Sequence, residues 1–206
     1  MCDRITSLMD ETIIYLLHTS LVKDNVSFIV DKIDPKRVKK AHKFIQEKDR
    51  LLSLGGGYLF YKYLPYGEMK LSNNGKPYLE NGPYFNLSHS GEYIALAVSK
   101  SRIVGVDIEQ IDENKVDAIK FSSLKEEKNV NDLETLFRIW SNKESLIKCL
   151  DAGIKDIKKV PGLPLEGVRN GCYTVSSIYK GYSLSITLKG EGPFKAQINT
   201  INTLAE

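Results

Sequence analysis

Apolar and polar positions along the chain fall into runs of two periods. Thr12–Leu17 and Val26–Val30 are short apolar runs rich in β-branched and aromatic residues, and both predict strands. Asp34-Pro35 predicts a helix start, a capping carboxylate followed by proline at the first helical position. From Lys48 to Leu64, the positions Leu51, Leu54, Tyr58 and Leu59 recur near helical spacing and predict a second helix. Gly55-Gly56-Gly57 lies inside it. Each glycine costs a helix roughly 1 kcal/mol against alanine, so either the helix breaks there or something approaches its backbone closely.

Asn73-Asn74-Gly75 marks a turn. Pro83 to Val98 predicts a hairpin, with strands Tyr84–Ser88 and Tyr93–Val98 about a Ser90-Gly91 turn. Ile103–Ile108 predicts a further strand, Lys115–Phe121 a short helix, and Leu133–Leu150 a long one carrying Leu133, Leu136, Phe137, Trp140, Leu146, Ile147 and Leu150. Tyr173–Ile178, Tyr182–Leu188 and Phe194–Ile201 predict three closing strands. Each half runs strand, helices, strands. The expected fold is therefore α+β, as two similar α/β lobes, residues 1–100 and 101–206, related by a pseudo-twofold axis with an active site at their interface.

Composition narrows the function classes. The 206 residues are 42% hydrophobic and 27% charged, as in ordinary globular proteins. A net charge of +3, without a concentrated basic stripe, argues against a nucleic-acid partner. Three scattered cysteines, Cys2, Cys149 and Cys172, argue against a disulfide framework or a zinc site. No apolar run has the length of a membrane span, and the opening residues lack the apolar core of a signal peptide, so the expected location is the cytoplasm.

Three clusters carry candidate chemistry. In Val106-Asp107-Ile108-Glu109, strand geometry puts two carboxylates on one face, where they raise each other's pKa unless a cation neutralises them. In Trp140-Ser141-Asn142-Lys143-Glu144-Ser145-Leu146-Ile147-Lys148, Glu144 and Lys148 share a helix face, either as a surface ion pair of small worth or as part of a site. Asn86-Leu87-Ser88-His89-Ser90 offers donors to an anion near a strand end. Lys76 adds a cation after the Asn73-Asn74-Gly75 turn.

The ordered series Gly75-Lys76-Pro77, Phe85-Asn86-Leu87-Ser88-His89-Ser90, Gly105-Val106-Asp107-Ile108-Glu109 and Trp140-x-x-Lys143-Glu144-Ser145-x-x-Lys148 resembles the 4′-phosphopantetheinyl transferases, in particular the two-lobed monomeric type serving peptide and polyketide synthases. The resemblance spans about residues 35 to 154. It implies an enzyme that moves the 4′-phosphopantetheine arm of coenzyme A onto a serine of an apo acyl, peptidyl or aryl carrier protein. It implies Mg²⁺, with Mn²⁺ as an alternative, bound by Asp107, Glu109 and Glu144, with Glu144 and Lys148 catalytic. It also implies coenzyme contacts from Arg37, Lys40, Ser53, Lys76, Ser88, His89 and Lys148. The chain departs from the family's Gly-x-Gly pair after the helix, where Asp151 replaces the first glycine and only Gly153 remains. The alternatives are a metal-dependent phosphohydrolase acting on a nucleotide pyrophosphate, and a non-catalytic module that binds carrier proteins.

Overall fold

The computed structural model describes residues 11–64 and 67–204. Strand β1 (Glu11–His18) leads into helices α1 (Thr19–Lys23), α2 (Val26–Lys32), α3 (Pro35–Ala41) and α4 (Glu47–Tyr63). A small ribbon of β2 (Met69–Leu71) and β3 (Pro77–Leu79) precedes β4 (Tyr84–Ser90), β5 (Tyr93–Ser99) and β6 (Val104–Gln110). Helices α5 (Val116–Ser122) and α6 (Leu133–Cys149) follow, then β7 (Glu166–Arg169), β8 (Cys172–Tyr179), β9 (Tyr182–Lys189) and β10 (Lys195–Thr200).

The fold is mixed α+β, built around two four-stranded sheets in the orders β10-β1-β5-β4 and β6-β9-β8-β7. Period-two alternation assigns the faces. In β5, Ile94 and Leu96 pack with Leu17, Tyr58 and Leu59 on the side of α1, α2 and α4, whereas Tyr93, Ala95 and Ala97 pack against Val106, Ile108, Leu184 and Ile186 of the second sheet. The outer face of the second sheet carries α6. There Ser141 bonds Ser183 and Ser185, each at 2.6 Å, and Ser145 bonds Thr187 at 2.8 Å. Small buried hydroxyls let the helix lie close while these hydroxyls satisfy one another. Cutting the chain at residue 100 would leave β10 with the second half, yet β10 pairs in parallel with β1 in the first sheet.

Most expected elements are present. Asp34 caps α3 by accepting from Lys36 N–H at 2.8 Å, with Pro35 in the first turn. The expected strand Val26–Val30 is instead α2. Val26, Ile29, Val30 and Ile33 follow helical spacing, and Ile29 and Ile33 are buried against α4, so packing overrides the β propensity of the branched side chains. The hairpin strand runs on to Ser90, which moves its turn to Gly91-Glu92. Cys2 lies outside the described residues.

The triple glycine does not break α4; all three positions are buried within it. A Cβ at Gly55 would lie 2.4 Å from Ile94 Cδ1, one at Gly56 3.0 Å from Leu87 Cδ2, and one at Gly57 3.0 Å from Ile33 Cδ1. The missing side chains let α4 pack close to both the sheet and α2.

Lys143 and Glu127 form an ion pair at 2.8 Å with side chains 0% and 1% exposed, and Glu127 also accepts from Gly162 N–H and Leu124 N–H. Burial by itself would raise the Glu127 pKa, but the bonds from Lys143, Gly162 and Leu124 prevail and hold it below its ordinary value. A depressed carboxylate pKa stabilises the fold above its unfolded value, and that contribution is lost as pH falls through the folded value. Lys143→Met is expected to cost about 3–5 kcal/mol at neutral pH by stranding a buried charge. The deficit should shrink as pH drops below the ordinary glutamate range, where the wild type also loses the pair. Urea midpoints of both proteins across that range check this; a deficit that does not change with pH would contradict it.

Candidate functional site

The edge strands of the two sheets meet side by side, and β4 supplies side chains where a ladder would otherwise form. Asn86 Oδ1 accepts from Val106 N–H at 2.9 Å, Ser88 Oγ from Ile108 N–H at 3.4 Å, and Ser90 Oγ from Gln110 N–H at 3.0 Å. Residues two apart on β4 thus satisfy amides two apart on β6. This seam fixes the register between Ser88 and Asp107 and between Ser90 and Glu109, whose carboxylates accept at 2.8 and 3.0 Å.

Lys148 enters the seam from α6. Its ammonium bonds Asp107 Oδ1 at 2.6 Å, Ser88 Oγ at 3.0 Å and Glu144 Oε2 at 3.2 Å. The Ser88 hydroxyl has thereby used its one proton and both acceptor sites. Burial by itself would lower the Lys148 pKa, but Asp107 and Glu144 more than offset it and hold the value above the ordinary one. Glu144 moves the other way: burial first, then the charge of Asp107, raise its pKa to about 7 in spite of Lys148.

The close approach of α6 to β6 depends on Gly105. A Cβ there would stand 2.0 Å from Ser145 O and 2.5 Å from Cys149 N. Only glycine lets the backbone of α6 sit against the strand that carries Asp107.

The donor set suits a hard divalent cation, because it is made of carboxylate oxygens. Asp107 is buried, and its Oδ2 has no hydrogen-bond partner. With Glu144 beside it, that orphaned oxygen fits a metal ligand. Glu109 is placed differently: Lys115 pairs with its Oε1, which also accepts from Ser90. Among the described residues no group of three or more His, Cys, Asp or Glu side chains is gathered in a metal-holding cluster. Asp107 and Glu144 converge around Lys148, and Lys115 engages the third carboxylate.

The other expected residues separate into two places. Arg37, Lys40, Ser53 and His89 share a cleft of about 190 Å³, together with Phe44 and Asp49. Arg37 lies over the Phe60 ring at 4.8 Å and donates from Nε to Ser53 O at 3.4 Å. Alternation along β4 points His89 into this cleft and Ser88 into the seam. Partial burial, then the charge of Lys148, hold the His89 pKa below its ordinary value, so the ring is neutral near pH 7. Lys76 lies at the far end of α6, where its ammonium donates to Lys148 O at 2.6 Å and Val104 O at 3.1 Å. Burial lowers its pKa.

Residues 103–191, which hold β6, α6 and the strands beneath them, match the family model described as the 4′-phosphopantetheinyl transferase superfamily. The match covers less than half of the chain. The chain is similar to the 4′-phosphopantetheinyl transferase gsp of Aneurinibacillus migulanus, 27% identical over 143 residues, 62% of this chain and 60% of that protein. It is also similar to a 4′-phosphopantetheinyl transferase of Bacillus subtilis, 29% identical over 139 residues, 59% of this chain and 62% of that one. A third relative is the 4′-phosphopantetheinyl transferase AcpT of Salmonella typhi, 36% identical over 107 residues, 46% of this chain and 56% of that one. The matched stretch spans about three fifths of these relatives' length.

Within the matched segment, Lys115 and the Lys143–Glu127 pair are structural partners with no motif to signal them. Asn86 and Ser90 were visible in sequence as residues flanking Ser88 at period two. Their partners on β6 lie 20 residues away, and pairing between edge strands leaves no local signal. No helix among the described residues is long and apolar enough to cross a membrane.

Proposed function

We propose that the chain transfers the 4′-phosphopantetheine arm of coenzyme A to a serine of an apo carrier protein and releases adenosine 3′,5′-bisphosphate. The observation that carries this reading is the convergence of Lys148, Asp107 and Glu144 at a seam whose strand β4 also presents His89 to a cationic cleft. The two faces of one strand suit the two ends of one ligand. The cleft suits a phosphomonoester, with Arg37 and Lys40 as its cations. The seam suits a pyrophosphate.

In this reading Asp107 and Glu144, with Glu109 joining them, hold Mg²⁺ or Mn²⁺. The bound ion supplies charge that stabilises the phosphate oxygens. Lys148 neutralises charge developing on the same oxygens. The carrier serine oxygen forms a bond to the inner phosphorus, and the bond from that phosphorus to the departing adenosine bisphosphate breaks. Glu144 takes the serine proton as general base. Ser88 orients Asp107 and Lys148, and Lys76 holds the end of α6. The two sheets with their helices act as pseudo-symmetric lobes of one monomeric, cytoplasmic enzyme with its site between them, consistent with a carrier partner of peptide or polyketide synthesis.

Product analysis tests the reaction class. Adenosine 3′,5′-bisphosphate is expected only when an apo carrier protein is present; steady release without a carrier would replace transfer by hydrolysis. Arg37→Ala is expected to raise the KM for coenzyme A about tenfold or more, with little change in kcat, the pattern of lost ground-state binding. The same variant should match wild type on dephospho-coenzyme A. An equal loss with both substrates would remove Arg37 from the 3′-phosphate.

A further inference from the structure

Helix α6 ends in a way that recruits a distant turn. Leu150 caps it, Ala152 N–H donates back to Ile147 O at 2.8 Å, and Asp151 between them takes φ +53°. This is a Schellman closure, whose left-handed position is usually given to glycine because a Cβ is strained there. Here an aspartate occupies it, and the turn between β2 and β3 holds that aspartate from outside the helix. Ser72 Oγ donates to Asp151 Oδ1 at 3.1 Å, and Asn74 Nδ2 donates to Asp151 O at 2.5 Å. Lys76 completes the grip through Lys148 O and Val104 O.

The turn is itself closed. Ser72 N–H donates to Lys76 O at 2.9 Å, Gly75 N–H to Ser72 O at 3.0 Å, and Lys76 N–H to Ser72 Oγ at 3.0 Å. Met69, Leu71 and Tyr78 on the ribbon are exposed, and Leu79 alone of its strand residues is buried in the core. Polar contacts with the end of α6 are a main tie. Lys148 stands between two holds: its carbonyl is gripped by Lys76, and its ammonium lies among Ser88, Asp107 and Glu144.

We infer that Ser72, Asn74 and Asp151, together with Lys76, form a clamp that sets the position of Lys148, and that Asp151 is a positioning residue for the transfer reaction. The catalytic part of this inference rests on the proposed function. Small displacements of a charge-stabilising group are costly to rate, and a clamp on the last helical turn limits such displacement.

Asp151→Gly separates positioning from stability. Glycine suits the left-handed conformation, so the melting temperature is expected to hold or rise, while kcat falls about tenfold and the KM for coenzyme A changes little. Asp151→Asn keeps an acceptor and tolerates the conformation, so it should restore kcat. Asn74→Ala should lower kcat in the same way. Unchanged kcat in Asp151→Gly and Asn74→Ala would overturn the inference, as would losses that track melting temperature and are not rescued by asparagine. Hydrogen exchange supplies a readout free of activity: the Lys76 amide should exchange faster in Asp151→Gly, and an unchanged rate would refute the clamp. Faster exchange in a chain whose wild type transfers nothing would keep the clamp and overturn its catalytic role.

Discussion

Asp107→Asn is expected to abolish carrier-protein modification while leaving a folded chain. The substitution keeps the shape of the side chain and an oxygen able to accept from Ser88 and Lys148, so the seam between β4 and β6 keeps its hydrogen bonds. It removes the charge. A preorganised electrostatic group of this kind contributes about 10²–10³-fold to rate, and the metal-holding role proposed for Asp107 would add a contribution through the ion, so the loss should reach or exceed the upper part of that range. Lys148 keeps Glu144 as a counter-ion at 3.2 Å, which limits the cost to stability. Transfer rates at saturating Mg²⁺, read beside the circular-dichroism melt, check the prediction. Activity within tenfold of wild type would remove Asp107 from the chemistry; an unfolded variant would make its role structural.

Gly105→Ala is expected to produce the largest combined loss of stability and activity. Its Cβ would meet Ser145 O at 2.0 Å and Cys149 N at 2.5 Å, backbone atoms of α6 that cannot rotate away. Relief requires the helix to move off β6. Overpacking typically costs 1–3 kcal/mol, and a backbone clash should reach about 3 kcal/mol or more. For a chain of this size that lowers Tm by roughly 6–12 °C. The same movement draws Glu144 and Lys148 away from Asp107, so transfer should fall even at temperatures where the variant is fully folded. A variant with wild-type Tm would show that the close contact between α6 and β6 is not required.

The two substitutions also show why parts of the molecule were legible in sequence. The Asp107/Glu109 and Glu144/Lys148 spacings are local, so strand and helix periodicity alone placed each pair on one face. Their convergence is not local. It depends on Gly105 and on a ladder in which Asn86, Ser88 and Ser90 stand in for a neighbouring strand. Glycine in a strand signals close approach without saying what approaches, and the same held for Gly55-Gly56-Gly57. Val26–Val30 misled because a five-residue apolar run fits either period, and packing of Ile29 and Ile33 on α4 decided for helix. The short strands β2, β3 and β7 have too few residues to show a period. At the site, Lys115 drew Glu109 into a separate ion pair, a contact across six residues that no motif encodes. Ser88 lay beside His89 in sequence, but the pleat sends them to different places.

Intact-protein mass spectrometry is the sharpest test of the proposed transfer. The chain is mixed with an apo carrier protein, coenzyme A and Mg²⁺, and a parallel reaction contains EDTA. The carrier is expected to gain the mass of one phosphopantetheine, and EDTA is expected to prevent the gain. A carrier of unchanged mass, across acyl, peptidyl and aryl types, would contradict the proposed transfer.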